Sequence, residues 1–327
     1  MDIKNYYSKK IKIAFSEKEK FRILCVSDIH GGKGYDKEYT VKNLTSLLDK
    51  TNPDLVLFLG DIAGPGYIHI ENAEQLTEML DGLTKPLEDR KIPWGHVFGN
   101  HDDNYGLENK NSQKIYESYP HCVSHHVDGI SGSSNYIIPI FDEKGEKILF
   151  NVYAFDSHAG SDGFREDYSL TQYKTELTNR GGIDSGERGL DFNQVKWYYD
   201  TSVSLEEKEG KKVPSMAVMH VPVQELAWCS LNPSESNYTG YQGEPVSCQY
   251  LNSGFFRACT ERGDMKAMCF GHDHEINCSA EFCGIILSYD GYLSRHASHT
   301  KETFGGRIFD IDKSNPNDVK TEFIGAE

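Results

Sequence analysis

Three short apolar runs near the start of the chain constrain its fold more than any other feature. Residues 21–27 (FRILCVS), 55–59 (LVLFL) and 94–98 (WGHVF) read as buried strands. Between the first two, residues 36–50 place Val41, Leu44, Leu47 and Leu48 on one helical face, and Pro53 ends that helix. Between the second and third, residues 71–90 place Leu76, Met79, Leu80 and Leu83 at the same spacing. A β-α-β-α-β run of this kind predicts parallel strands, and open α/β sheets keep their ligands beyond the carboxyl ends of such strands. Polar residues stand at each of those ends: Asp28 and His30, then Gly60 and Asp61, then Gly99, Asn100, His101 and Asp102.

The second half is less regular. Residues 135–141 and 148–155 read as neighbouring strands joined by a turn from Asp142 to Gly145. Residues 157–190, rich in Gly, Ser, Asp and Arg, predict a long excursion over the site. Residues 191–200 carry a helical pattern with Trp197, Tyr198 and Tyr199 as core, and the later Glu206, Glu207 and Lys208 read as a solvated face. Three more strands follow: 216–219 running into His220, 267–270 running into Gly271, His272, Asp273 and His274, and 285–289. Residues 229–250 read as a second polar insertion, and 307–312 as a strand closing a sheet edge. Without a repeat or a dividing linker, the expectation is one domain over residues 1–327, core about 21–312, with two sheets and flanking helices.

At 327 residues the chain can bury a sizeable core. Its formal net charge of −16 disfavours nucleic acid and anionic membranes as partners, because affinity for phosphate backbones is built from Lys and Arg. No apolar run approaches the ~18 residues of a membrane span. Residues 1–20 are polar and lysine-rich with no apolar core, so no signal peptide is expected. The 8 cysteines include no CxxC pair and read as reduced thiols of a cytoplasmic protein. Only Cys278 and Cys283 lie close enough in sequence to suggest a structural zinc or a disulfide.

The polar clusters have metal-binding chemistry. Asp28 and His30, two apart after a strand, can aim at one ion. Gly60 lets the backbone come close, and Asp61 has two oxygens with which to bridge two ions. Asn100 offers a hard amide oxygen or, alternatively, a helix N-cap; His101 can face a substrate, with Asp102 orienting its imidazole. His220 is either a ligand or a hydrogen-bonded core histidine, and His272 and His274 after Gly271 can reach neighbouring ions. The whole set suffices for two adjacent cations sharing one carboxylate.

Five clusters in the order DxH, GD, GNHD, a lone His after a strand, and GHxH resemble the calcineurin-like metallophosphoesterases over roughly residues 21–312. Within that superfamily the segments from Gln194 to Tyr198, from Asn252 to Phe256 and from Gly263 to Ala267 look closest to the cytosolic purple-acid-phosphatase-related branch. The resemblance implies an α/β fold, a two-sheet β-sandwich flanked by helices. It implies one ion held by Asp28, His30, Asp61 and His274 and a second by Asp61, Asn100, His220 and His272. His101 would contact the phosphate and protonate the leaving alkoxide, with Asp102 behind it. Two departures stand out. Purple acid phosphatases carry a tyrosine ligand where this chain has Gly64, so no tyrosinate–iron colour is expected. The segment after Gly291 (YLSRHASHT) differs from the branch's glycine- and arginine-rich run.

The expected activity is therefore hydrolysis of a small phosphomonoester or phosphodiester. Two cations would bind the phosphoryl oxygens and acidify a bridging water, whose hydroxide attacks in line. Two M²⁺ against Asp28 and Asp61 leave about +2, enough to hold a phosphate in an acidic protein. Oxygen and imidazole donors without thiolate suit Mn, Fe or Zn. Two alternatives remain: a metal-dependent nuclease, which the charge disfavours, and a non-catalytic metal-binding scaffold, which the complete ligand set disfavours. Asn104, Tyr105, His125, His126, His158 and Tyr241 read as surface or packing positions. Arg165, Arg188 and Arg295 are available to clamp a second phosphate, with nothing in the sequence that selects one.

Overall fold

The computed structural model describes residues 2–64, 70–102, 107–158, 189–249 and 251–326, and the backbone alone at 184–187. Asn104, Tyr105, Arg165, Arg188 and most of the excursion expected over 157–190 lie outside the described residues. The first half runs β1 (Ile13–Ala14), β2 (Lys20–Val26), α1 (Lys37–Thr51), β3 (Leu55–Leu59), α2 (Ala73–Arg90), β4 (Trp94–Val97) and α3 (Asn109–Tyr116). Next come β5 (Tyr136–Phe141), β6 (Ile148–Ala154), β7 (Asp184–Glu187), α4 (Phe192–Glu209), β8 (Ser215–Met219), α5 (Gln224–Leu231), β9 (Ser247–Gln249) and α6 (Phe255–Arg262). The chain finishes with β10 (Met265–Phe270), β11 (Ser279–Phe282), β12 (Ile285–Tyr289), β13 (Gly305–Asp312) and β14 (Val319–Gly325).

These strands form two main sheets. One has the order β14-β13-β2-β3-β4, with β2, β3 and β4 parallel as expected. The other has seven strands, β1-β5-β6-β8-β10-β12-β11, with β6, β8, β10 and β12 parallel. Strand periodicity sorts β3 between two cores: Leu55, Leu57 and Leu59 pack into the core shared with the seven-stranded sheet, while Val56 and Phe58 pack beneath α1 and α2. Leu44, Leu80, Leu83 and Leu87 are fully buried in that outer layer. At roughly 1.5–3 kcal/mol for each such side chain, apolar burial holds α1 and α2 on the sheet. Both helices start at a capping side chain, Asp36 to the Tyr39 amide (3.1 Å) and Asn72 to the Gln75 amide (3.0 Å).

Three expectations change. The 307–312 strand is internal: β13 pairs with both β2 and β14, and β14 is the edge, because sheet order is set by distant pairing. Helix α4 extends to Glu209, and Tyr199 on it is 40% exposed instead of core. The insertion at 229–250 begins inside α5 and ends in β9, which pairs with β7. The cysteines are free thiols as expected, seven buried and Cys283 exposed, and Cys278 and Cys283 form no disulfide. No helix among the described residues is long and apolar enough to cross a membrane.

Candidate metal centre

The parallel strands of both sheets end on the same side, and the loops beyond them interlock. The loop after β2 is zipped to the loop after β3: the His30 amide donates to the Asp61 carbonyl (2.9 Å) and the Gly31 amide to the Ile62 carbonyl (2.8 Å). To turn their side chains toward one point, Asp28 (φ 54°), His30 (φ 47°), Asp61 (φ 48°) and His272 (φ 84°) adopt left-handed backbone. That conformation is unfavourable for non-glycine residues and concentrates at functional sites. Close approach also demands glycine: a Cβ on Gly99 would lie 2.2 Å from Asp61 Oδ1, and one on Gly60 (φ 93°) 2.6 Å from His220 Nδ1.

Two groups of donor atoms result. In the first, His274 Nε2 lies 3.0 Å from Asp28 Oδ1 and 3.2 Å from His30 Nε2, and His30 Nε2 lies 3.6 Å from Asp28 Oδ1. In the second, His220 Nε2 lies 3.3 Å from Asp61 Oδ2 and 3.0 Å from Asn100 Oδ1, which is 3.1 Å from His272 Nδ1. Asp61 Oδ2 is also 3.9 Å from His30 Nε2, so this carboxylate stands between the groups. An ion about 2.1 Å from each ligand sets neighbouring ligand atoms about 3.0–3.5 Å apart, and the observed separations match that spacing. All seven residues nominated from sequence are thereby brought together. Asn100 turns its oxygen to this cluster, and His220, fully buried, turns its Nε2 to the same group.

Hydrogen bonds behind the imidazoles fix which nitrogen is free. His220 Nδ1–H donates to the Leu59 carbonyl (2.7 Å) and His274 Nδ1–H to the Ala297 carbonyl (3.0 Å), so both Nε2 lone pairs face the pocket. Electrostatics favour positive charge in the pocket. Burial pushes the Asp28 and Asp61 carboxyls up, but the facing imidazoles outweigh it and hold both well below the usual range. Burial lowers His220 and His274, yet the same carboxylates lift them to about 10 and about 9. Burial takes His272 down to about 3. The pocket is a buried acidic cage that gathers positive charge, as a cation site must.

His101 stands at the mouth. Its side chain is 35% exposed, against 4% or less for His30 and His220. Its backbone amide donates to Asp61 Oδ1 (2.9 Å), and its imidazole Nε2 is 3.9 Å from Asp61 Oδ2. Burial lowers its affinity for a proton. Asp102, expected to orient His101, instead accepts through its carboxylate from the Gly99 amide (2.7 Å) and the Ala63 amide (2.8 Å), tying two site loops together.

The family model of the calcineurin-like phosphoesterases matches residues 21–275. The chain belongs to the calcineurin-like phosphoesterases. It is 27% identical to "Probable inactive purple acid phosphatase 14" of Arabidopsis thaliana, over 87% of this chain and 73% of that protein. It is 29% identical to Phosphatase DCR2 of Saccharomyces cerevisiae over 79% of this chain, a match that spans 45% of that protein. A solved dimetal phosphatase from Danio rerio shares the fold, with a TM-score of 0.57 at 13% identity, covering 94% of this chain and 99% of that one.

In this calcineurin-like phosphoesterase, several supporting residues are found only in the structure. Ser247 Oγ lies 3.3 Å from His272 Nε2, and Asp273 accepts from the Ser247 amide (2.9 Å) and the Tyr289 hydroxyl. Ser247 sits in a polar insertion with no local signal, whereas Asp273 lies inside a nominated cluster whose pattern does not disclose its role. The atypical segment after Gly291 reaches the site through a backbone atom, the Ala297 carbonyl, which no side-chain pattern reveals. Other loop residues settle elsewhere: His125 faces the Asn5 carbonyl (3.1 Å), His158 faces Gln194 Oε1 (3.1 Å), and Arg295 lies over the Tyr39 ring (3.7 Å).

Proposed function

We propose that this chain is a dinuclear metal-dependent phosphoesterase acting on small phosphomonoesters or phosphodiesters. Asp28, His30, Asp61 and His274 would hold one ion and Asp61, Asn100, His220 and His272 the other. The observation that carries this reading is the convergence of seven donors from five separate loops at the spacing of ligands round an ion, with every position filled. Two bound ions of the Mn, Fe or Zn kind would supply positive charge for the phosphoryl oxygens and a more acidic water. The protein's own residues do the rest. Asp61 joins the two halves and fixes the His101 backbone; His101, at the mouth, would deliver a proton to the departing alkoxide; Gly60 and Gly99 keep the loops close enough for both.

The complete donor set favours catalysis over a non-catalytic scaffold, although some relatives carry "inactive" in their names. The net charge of −16 favours a small substrate over nucleic acid. Free cysteines, seven of them buried, suit the reducing cytoplasm. The test is hydrolysis of p-nitrophenyl phosphate and of its bis ester by metal-loaded protein. Exchanging His101→Ala should lower turnover by ~10²–10⁴-fold while both ions remain bound. Absence of hydrolysis of either ester would defeat the reading, and undiminished turnover in the variant would remove His101 from it.

A further inference from the structure

Directly behind Asp28 lies a buried group that the proposed chemistry does not use. Asp290 follows β12 as Asp28 nearly follows β2, and Ser27 bridges the two. Ser27 Oγ lies 2.5 Å from Asp28 Oδ2, 2.7 Å from Asp290 Oδ1 and 3.2 Å from the Gly291 carbonyl. Ser27, Asp28 and Asp290 are all fully buried, and Asp290 Oδ2 has no partner among the described residues.

Hydrogen counting decides the protonation of this triad. A serine hydroxyl has one proton, and ionised carboxylates only accept. Two short contacts to carboxyl oxygens therefore require a second proton on one of the two acids. Asp28 cannot carry it and remain a ligand, since its Oδ1 faces His274 and His30 and its Oδ2 also accepts the His272 amide (3.1 Å). Nor does a cation hydrogen-bond to Asp290 among the described residues. Arg307, the buried cation acting on it, directs its N–H groups to the carbonyls of Tyr289 (2.6 Å) and Asn277 and to Thr321 Oγ1 (3.4 Å). Among its other ionisable neighbours, Cys269 and Asp28 oppose a charge on Asp290, and only His220 favours one, more weakly than burial opposes it. An ionised Asp290 would leave a charged oxygen buried with no donor facing it, at a cost of several kcal/mol.

We propose that Asp290 is a neutral carboxylic acid that positions Asp28 through Ser27, donating to Ser27 Oγ while Ser27 donates to Asp28 Oδ2. The relay pins one oxygen of Asp28 and presents the other to its ion. It does so without adding a third negative charge beneath a site that must attract phosphate. Burial independently keeps the Asp290 carboxyl well above its ordinary range.

This inference rests on Asp28 being a metal ligand, and the experiment separates the two ideas. Mn²⁺ is titrated into metal-free parent protein, Asp290→Ala, Ser27→Ala and Asp290→Asn, and infrared difference spectra of parent minus Asp290→Asn are recorded at neutral pH. The alanine variants should bind one of two ions ~10–100-fold more weakly, as loss of a partner behind a ligand does. Asp290→Asn, a neutral group that can still donate to Ser27, should recover at least tenfold of that loss. The spectra should show the carbonyl stretch of a protonated acid in the parent alone. Absence of that band, an asparagine variant as weak as the alanine variant or unable to fold, or alanine variants with parental affinity would each overturn the proposal. A parent that binds no Mn²⁺ would instead overturn the metal reading, and the band alone would then decide whether Asp290 is protonated.

Discussion

Beneath α1 and α2 the protein buries Leu44, Leu80, Leu83 and Leu87, each in ordinary helical backbone and each against apolar neighbours. At the carboxyl ends of the same parallel strands it buries Asp28, His30 and Asp61 in left-handed backbone, with His220 fully enclosed beside them. In the first region, helix pattern, capping and burial agree, and stability is the product. In the second, local preference is overruled at several adjacent residues. Such conflicts persist where function requires them. The layer under the helices should therefore govern stability and the strand ends should govern ion binding.

The largest expected effect tests the strand ends. Asp61→Asn keeps the side-chain shape and removes the shared charge, so it should release ions from both groups and lower turnover by at least ~100-fold, more than loss of an outer partner costs. Parental ion stoichiometry and turnover in Asp61→Asn would remove the shared carboxylate from the account. The complementary substitution is Leu80→Ala. Denaturant titration should show a loss of about 2–5 kcal/mol, while ion stoichiometry stays at the parental value; a change in stoichiometry would tie the two regions together.

A smaller effect involves His96, on β4 between the regions. It is buried, stacked on Tyr116 with ring centroids 3.6 Å apart, and bonded through Nδ1 to Ser124 Oγ (2.7 Å). Burial lowers it from 6.5 to about 3. Because its folded value is depressed, the unfolded chain binds the extra proton between those limits. Its contribution is complete above pH ~6.5 and declines as pH falls, by about 2 kcal/mol at pH 5. Measured on metal-free protein, the difference in stability between pH 7 and pH 5 should shrink by that amount in His96→Asn. An unchanged difference would show that His96 is not held neutral by burial.

The same contrast explains what is legible in the sequence. The run from β2 to β4 can be read with its ends nearly in place because strand period, helix period and Pro53 all act locally. The ligand clusters are legible because each stands at a strand end and all but the lone His220 lie beside a glycine or another donor. What escapes is non-local. The internal position of β13 depends on partners hundreds of residues away, and β14 carries an alternation in which only Val319 is buried. The eight-residue helices α5 and α6 are too short for a periodic signal to stand out. The partners behind the ligands escape for the same reason. Ser247 meets His272, and the Ala297 carbonyl meets His274, only through the tertiary fold. Asp290 alone offers a signal, since it sits between a strand and Gly291 as the nominated clusters do.

Counting ions tests the central claim most directly. Purified protein, freed of metal and then equilibrated with Mn²⁺ or Zn²⁺ and desalted, should retain two ions per chain by elemental analysis. Asp61→Asn treated identically should retain fewer than one. A parent chain that keeps none, or a variant that keeps both, would contradict the account.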